Sequence, residues 1–104
     1  MNKNPTITKT VIYNGIEIRR SDELSAPRAY VHKNPKQWVV DFVGGKWGFK
    51  TLHAAQEWIN AETRRQELTA YTDYKTFWII RPVDGKFTEV TISKIDYFKI
   101  KGAQ

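Results

Sequence analysis

The segment from Trp38 to Ile59 constrains the fold of this chain more than any other. Trp38, Val40 and Phe42 alternate with Val39, Asp41 and Val43, the pair Gly44-Gly45 offers a turn, and Trp47 and Phe49 alternate again. Side chains along a strand point to opposite faces with a period of two, so Trp38, Phe42, Trp47 and Phe49 belong to one face. Thr51 then stands where a helix N-cap belongs, with a side-chain oxygen able to accept from an unpaired N–H of the first turn. Leu52, Ala55, Trp58 and Ile59 recur at helical spacing. The pattern predicts two strands and a helix over about 52–67 packed on the aromatic face. From Asn60 to Glu67 the residues are nearly all polar, so that half of the helix is expected to project into solvent or to meet a partner.

Strand and turn signals frame this unit. Residues 6–13 and 16–20 flank Asn14-Gly15, both of which accept the positive φ of a type I′ turn. A two-residue loop pairs Tyr13 with Ile16 and Val11 with Ile18 on one apolar face, leaving Thr10, Ile12, Glu17 and Arg19 on the other. Residues 28–33 are expected as a strand and Asn34-Pro35-Lys36 as a turn, because proline fixes φ and removes a donor. Residues 75–82 and 86–93 flank Asp84-Gly85, a second primed-turn signal, which pairs Ile79 with Val90 and Phe77 with Ile92. Pro82 favours an edge position. Residues 95–100 are expected as a last short strand, with disordered tails at 1–5 and 101–104. The expectation is one small α+β domain, an antiparallel sheet of short hairpins packed against one helix.

Composition bounds the function. The 104 residues suit one domain with a single core. The absence of cysteine removes disulfide and thiolate chemistry. No run is apolar enough to span a membrane and the polar start is unlike a signal peptide, so a cytoplasmic protein with no membrane partner is expected. The two histidines, His32 and His53, fall in no metal-ligand or catalytic pattern. Gly44-Gly45-Lys46 lacks the frame of a phosphate loop. No enzymatic activity and no cofactor are expected.

The charge is +6 and uneven: residues 1–51 carry nine Lys/Arg against four Asp/Glu, whereas the helix is near neutral. Excess positive charge attracts polyanions. Arg19, Arg20, Arg28, Lys33, Lys36, Lys46 and Lys50 lie on or beside consecutive expected strands, making them candidate nucleic-acid contacts, with Lys33, Lys46 and Lys50 pointing from the face away from the helix. Val39, Asp41 and Val43 share that face and suit a protein contact or a second packed layer better than DNA. Trp78, Ile80 and Phe87 lie opposite the Phe77/Ile79/Val90/Ile92 face. They are either buried in a doubly covered hairpin or exposed as a patch for base stacking, a homodimer or another protein.

The run Phe49-Lys50-Thr51-Leu52-His53-Ala54-Ala55-Gln56-Glu57-Trp58-Ile59, following Trp38 to Trp47, resembles the arm-type DNA-binding domain of phage-type tyrosine integrases over residues 28–62. The matching positions are Phe49, Thr51, Ala55 and Trp58. The resemblance implies a three-stranded antiparallel sheet on one helix, with the open sheet face entering the DNA major groove through Arg28, Lys33, Lys46 and Lys50. It therefore implies a non-enzymatic DNA-binding accessory protein of phage or mobile-element type. Asp41 and the two valines depart from that family's polar reading face, and no catalytic recombinase domain is expected within the 104 residues.

Overall fold

The computed structural model describes residues 7–24 and 37–102, an α+β arrangement of seven strands and two helices. The elements are β1 (Ile7–Tyr13), β2 (Ile16–Ser21), β3 (Gln37–Phe42), β4 (Gly45–Phe49), α1 (Leu52–Glu67), β5 (Tyr71–Thr72), β6 (Phe77–Val83), β7 (Lys86–Ile92) and α2 (Lys94–Gly102). The strand order is β1-β2-β3-β7-β6-β5, with β4 also paired to β3. The expected strand at 28–33 and the turn at 34–36 lie outside the described residues.

Three hairpins turn on two residues each. Asn14 and Gly15 adopt φ of 51° and 77°, and Asp84 and Gly85 adopt 52° and 80°, as type I′ turns require. The registers follow from those turns: Tyr13 faces Ile16, Val11 faces Ile18, Ile79 faces Val90 and Phe77 faces Ile92. The third hairpin differs from the sequence expectation. Its turn residues are Val43 and Gly44, at φ of 47° and 79°, with Phe42 opposite Gly45. A β-branched residue is strained in the left-handed region. Val43 is held there because its N–H donates to the Phe87 carbonyl at 2.9 Å and its side chain packs on the core.

The sheet is mixed rather than purely antiparallel. The hairpins are antiparallel, but β3 meets β7 in parallel at Phe42 and Phe87, and Ile16 bridges Gly85 in parallel. The core lies on the α1 side of the sheet. Ile16, Ile18, Trp38, Val40, Ile80 and Phe87 pack there with Ala55 and Ile59 of α1. Burying a large apolar side chain contributes about 1.5–3 kcal/mol, so this cluster dominates stability. Trp58 touches Phe42, Trp47, Phe49 and Phe87 at ring centroid distances of 5.6–6.1 Å. Trp38, Phe42, Trp47 and Phe49 thus share the helix-facing side, as their alternation predicts.

Thr51 caps α1 in extended conformation, and its hydroxyl accepts from the Ala54 N–H at 3.1 Å. The second half of α1 does not simply project into solvent. Glu62 and Gln66 continue the stripe of Ala55 and Ile59 at helical spacing and are buried. They are satisfied in series: the Gln66 amide donates to Glu62 at 2.8 Å, and the Tyr71 hydroxyl donates to Gln66 at 2.9 Å. Arg81 donates to the Gln66 carbonyl at 2.8 Å, supplying a cation at the carbonyl end of the helix.

Residues 94–102 form a helix, where a strand over 95–100 and a tail from 101 were expected. Ser93 caps it: its hydroxyl accepts from the Asp96 N–H at 3.1 Å and its carbonyl from the Tyr97 N–H at 3.0 Å. Asp96 in the first turn and Lys99 and Lys101 in the last complement the helix dipole. Tyr97 packs on Phe77 at 5.1 Å. Phe77 and Ile80 point to opposite faces of β6, so the two helices cover opposite faces of the β6–β7 hairpin.

Candidate nucleic-acid interface

The pairing of β2 with β3 sets Arg19 beside Val39 and Arg20 beside Trp38. Adjacent residues of one strand therefore meet different environments. Arg19 lies on the face away from α1 and is buried. Its Nη1 and Nη2 bond the two Asp41 carboxylate oxygens at 2.8 and 3.1 Å, and its Nε bonds Glu23 at 3.0 and 3.1 Å. A further bond joins Nη2 to Glu23. Glu23 also accepts from the Ser21 hydroxyl at 3.0 Å, and Lys46 Nζ stands 3.3 Å from it.

The electrostatics follow from this geometry. The Arg19 hydrogen bonds hold the Glu23 carboxyl down at about 2, outweighing the opposing effect of burial. The same carboxylates push the Arg19 guanidinium above its ordinary value. Two cations, Arg19 and Lys46, meet two anions, Glu23 and Asp41. Among the described residues, the centre of the face away from α1 is thus a neutralised ion cluster, in which half-exposed Lys46 is offset by Glu23. Asp41, which looks out of place for a DNA reader, is the bidentate partner of Arg19. Val39 is fully buried. Nearby, Gly48 leaves room for Gln37 and Leu24, because a Cβ there would overlap the Gln37 side chain and press on Leu24 at 2.9 Å.

The remaining candidates separate. Arg20 is exposed, with its guanidinium carbon 5.5 Å from the centre of the Trp38 ring. Lys50 is exposed between β4 and the Thr51 cap. Trp38 pairs with both Arg20 and Phe49, so Arg20 and the end of β4 lie two strand spacings apart, about 10 Å. Arg28, Lys33 and Lys36 lie outside the described residues. All eleven acidic residues are described, against thirteen of the seventeen Lys and Arg, so the described part carries only +2 of the +6.

Ile80 and Phe87 are core residues at 6% and 2% exposure, which removes them as stacking surfaces. Trp78 is half-buried and stacked on Tyr71 at 5.9 Å and 12°. A cleft of about 430 Å³ opens between the Val43-Gly44 turn and β7, lined by Asp41, Lys46, Lys86, Thr88 and Glu89. Its charges balance. His53 meets Glu57 at 2.9 Å on the exposed surface of α1. Among the described residues no cluster of three or more His, Asp or Glu could hold a metal, and no helix is long and apolar enough to cross a membrane.

Sequence reasoning missed the Arg19 cluster. Arg19 and Asp41 are 22 positions apart and meet only through the β2–β3 register, although the spacing of Arg19 and Glu23 brings them within reach of one another. No protein-family model, curated protein or solved structure matches the chain.

Proposed function

We propose that this chain is a non-enzymatic DNA-binding accessory protein of phage or mobile-element type, which grips the phosphate backbone at one end of its sheet. The observation that carries this is the position of Arg20 and Lys50. Both are exposed, neither meets a described carboxylate, and they stand at the end of β2–β3–β4 where the chain leaves at Leu24 and re-enters at Gln37. The sequence between those points adds Arg28, Lys33 and Lys36 and no acid. The resemblance to integrase arm-type domains supports the same chemistry, with the contact moved from the face centre to this end.

Arg20 and Lys50 together with the three cations of the 25–36 sequence, all on phosphates, imply a salt slope of about −4.5, hence a loss of roughly 10²–10³-fold in affinity for a duplex between about 50 and 200 mM salt. Fluorescence anisotropy with a labelled duplex measures this. Arg20→Glu combined with Lys50→Glu should weaken binding at least about ten-fold and flatten the slope by about 2. A shallow slope, or unchanged binding by that variant, would sink the proposal.

A second reading, self-association, is favoured by β1. Among the described residues it ends the sheet, and Ile7 and Ile12 are 52% and 64% exposed on it. Unpaired edges recruit other strands. Light scattering should then show a mass that rises with concentration. A monomer at every concentration removes this reading.

A further inference from the structure

We propose that the end of the β5–β6–β7 sheet carrying Tyr74 and α2 is a separate surface for single-stranded nucleic acid. Thr72 pairs with Phe77, and Phe77 with Ile92, so the 73–76 turn and the start of α2 lie at the same end of the hairpin. The turn is tightly built. Asp73 Oδ1 accepts from the N–H groups of Lys75 and Thr76 at 3.0 and 2.8 Å and from the Thr76 hydroxyl at 2.9 Å. The Thr72 hydroxyl accepts from the Tyr74 N–H at 3.0 Å and donates to the Thr76 carbonyl at 2.9 Å.

What this turn presents is Tyr74, at φ 77° and 96% exposed. An aromatic residue in the left-handed region, held rigidly in water, contributes nothing to the core and is strained where it stands. On α2, Phe98 is 56% exposed and its ring is fixed edge-on against Tyr97 at 5.2 Å. Tyr97 in turn rests on Phe77. The Phe98 ring is therefore pre-oriented, and the turn fixes the backbone from which the Tyr74 ring projects. Lys75, Lys94, Lys99 and Lys101 are all exposed on these two elements, four cations against the two carboxylates of Asp73 and Asp96.

Flat rings among lysines form a stacking platform that every unstacked base can use, and the lysines attract the strand's phosphates. Other occupants fit less well. A symmetric dimer would bring two surfaces of like charge together. One acyl chain anchors a protein only marginally to a membrane, and Ile95 with Phe98 offers less apolar surface than that. A duplex keeps its bases stacked and leaves the rings unused.

The test is anisotropy with labelled oligo(dT), the matching duplex and phosphatidylserine vesicles as parallel probes. Tyr74→Asn removes the ring but keeps a residue that tolerates positive φ, and Phe98→Ala removes an exposed ring, so both variants should retain the wild-type circular dichroism spectrum. Each should weaken oligo(dT) binding about ten-fold and leave duplex binding unchanged. Arg20→Glu with Lys50→Glu should show the opposite pattern, which separates this surface from the duplex-binding end. No oligo(dT) binding by the intact chain, equal losses on both nucleic acids, or a loss of vesicle binding alone would each overturn the proposal.

Discussion

Arg19→Ala is expected to destabilise the fold by roughly 3–5 kcal/mol, because it strands two carboxylates that, among the described residues, only Lys46 would then oppose. For a domain of this size that corresponds to a fall in melting temperature of roughly 15–30 °C. An exposed ion pair would give about 1 kcal/mol or less, so the size of the effect distinguishes the two cases. The pH dependence has a definite sign. The Glu23 carboxyl is held at about 2 in the folded state, below its ordinary 4.5. A depressed carboxyl stabilises the fold above its unfolded value and loses that contribution as pH falls through the folded one. The stability gap between wild type and Arg19→Ala should therefore be full at neutral pH and shrink between about 4.5 and about 2. Urea denaturation across that range measures it. A gap that stays constant, or a loss under about 1 kcal/mol, would mean that the cluster is a solvated surface network.

Trp58→Ala should cost about as much, roughly 3–5 kcal/mol, for an unrelated reason. Trp58 meets Phe87 edge-on at 89° and Phe42 at 73°, and lies against Phe49 and Trp47. Each such pair adds about 0.5–1.5 kcal/mol beyond burial. This one side chain joins the β3–β4 hairpin to β7, so its loss should also collapse the near-ultraviolet circular dichroism signal. Trp58→Phe, which keeps part of the ring contact, should lose less than half as much. If Trp58→Ala melts within a few degrees of wild type, the contacts of Ala55, Ile59 and Gln66 suffice to hold α1 to the sheet and the aromatic cluster is not its main anchor.

The sequence carried the local structure well. Asn14-Gly15 and Asp84-Gly85 determined the registers of their hairpins, since few other residue pairs accept two successive positive φ values. Thr51 marked the start of α1, and the alternation of rings identified the face it covers. Two of the failures share a cause: long-range contacts overrode local preference. Val43 occupies a position its branching disfavours because Phe87 accepts its N–H. Glu62 and Gln66 read as a solvated half-helix until Tyr71 is seen to complete their bonds. Ser93 followed by Asp96 was a legible capping signal for α2, outweighed in the sequence reading by the high share of Ile, Tyr and Phe over residues 95–100. The candidate site was less legible than the fold. Lysines and arginines can be counted in a sequence, but Arg19 and Lys46 became partners of Glu23 and Asp41 only once β2, β3 and β4 were aligned.

The meeting of the two primed turns bears on how quickly this chain can reach its native state. The Glu17 N–H donates to the Gly85 carbonyl at 2.8 Å, joining segments about 70 residues apart, whereas each hairpin closes across two residues. Loop-closure entropy makes the long contact costlier than a hairpin by about 3 kcal/mol. Hairpins close within microseconds, so they are available long before the seam between Ile16 and Gly85 can form. The kinetic bottleneck is then the docking of ready-made hairpins, and the three turns serve as early scaffolds for a late, non-local closure.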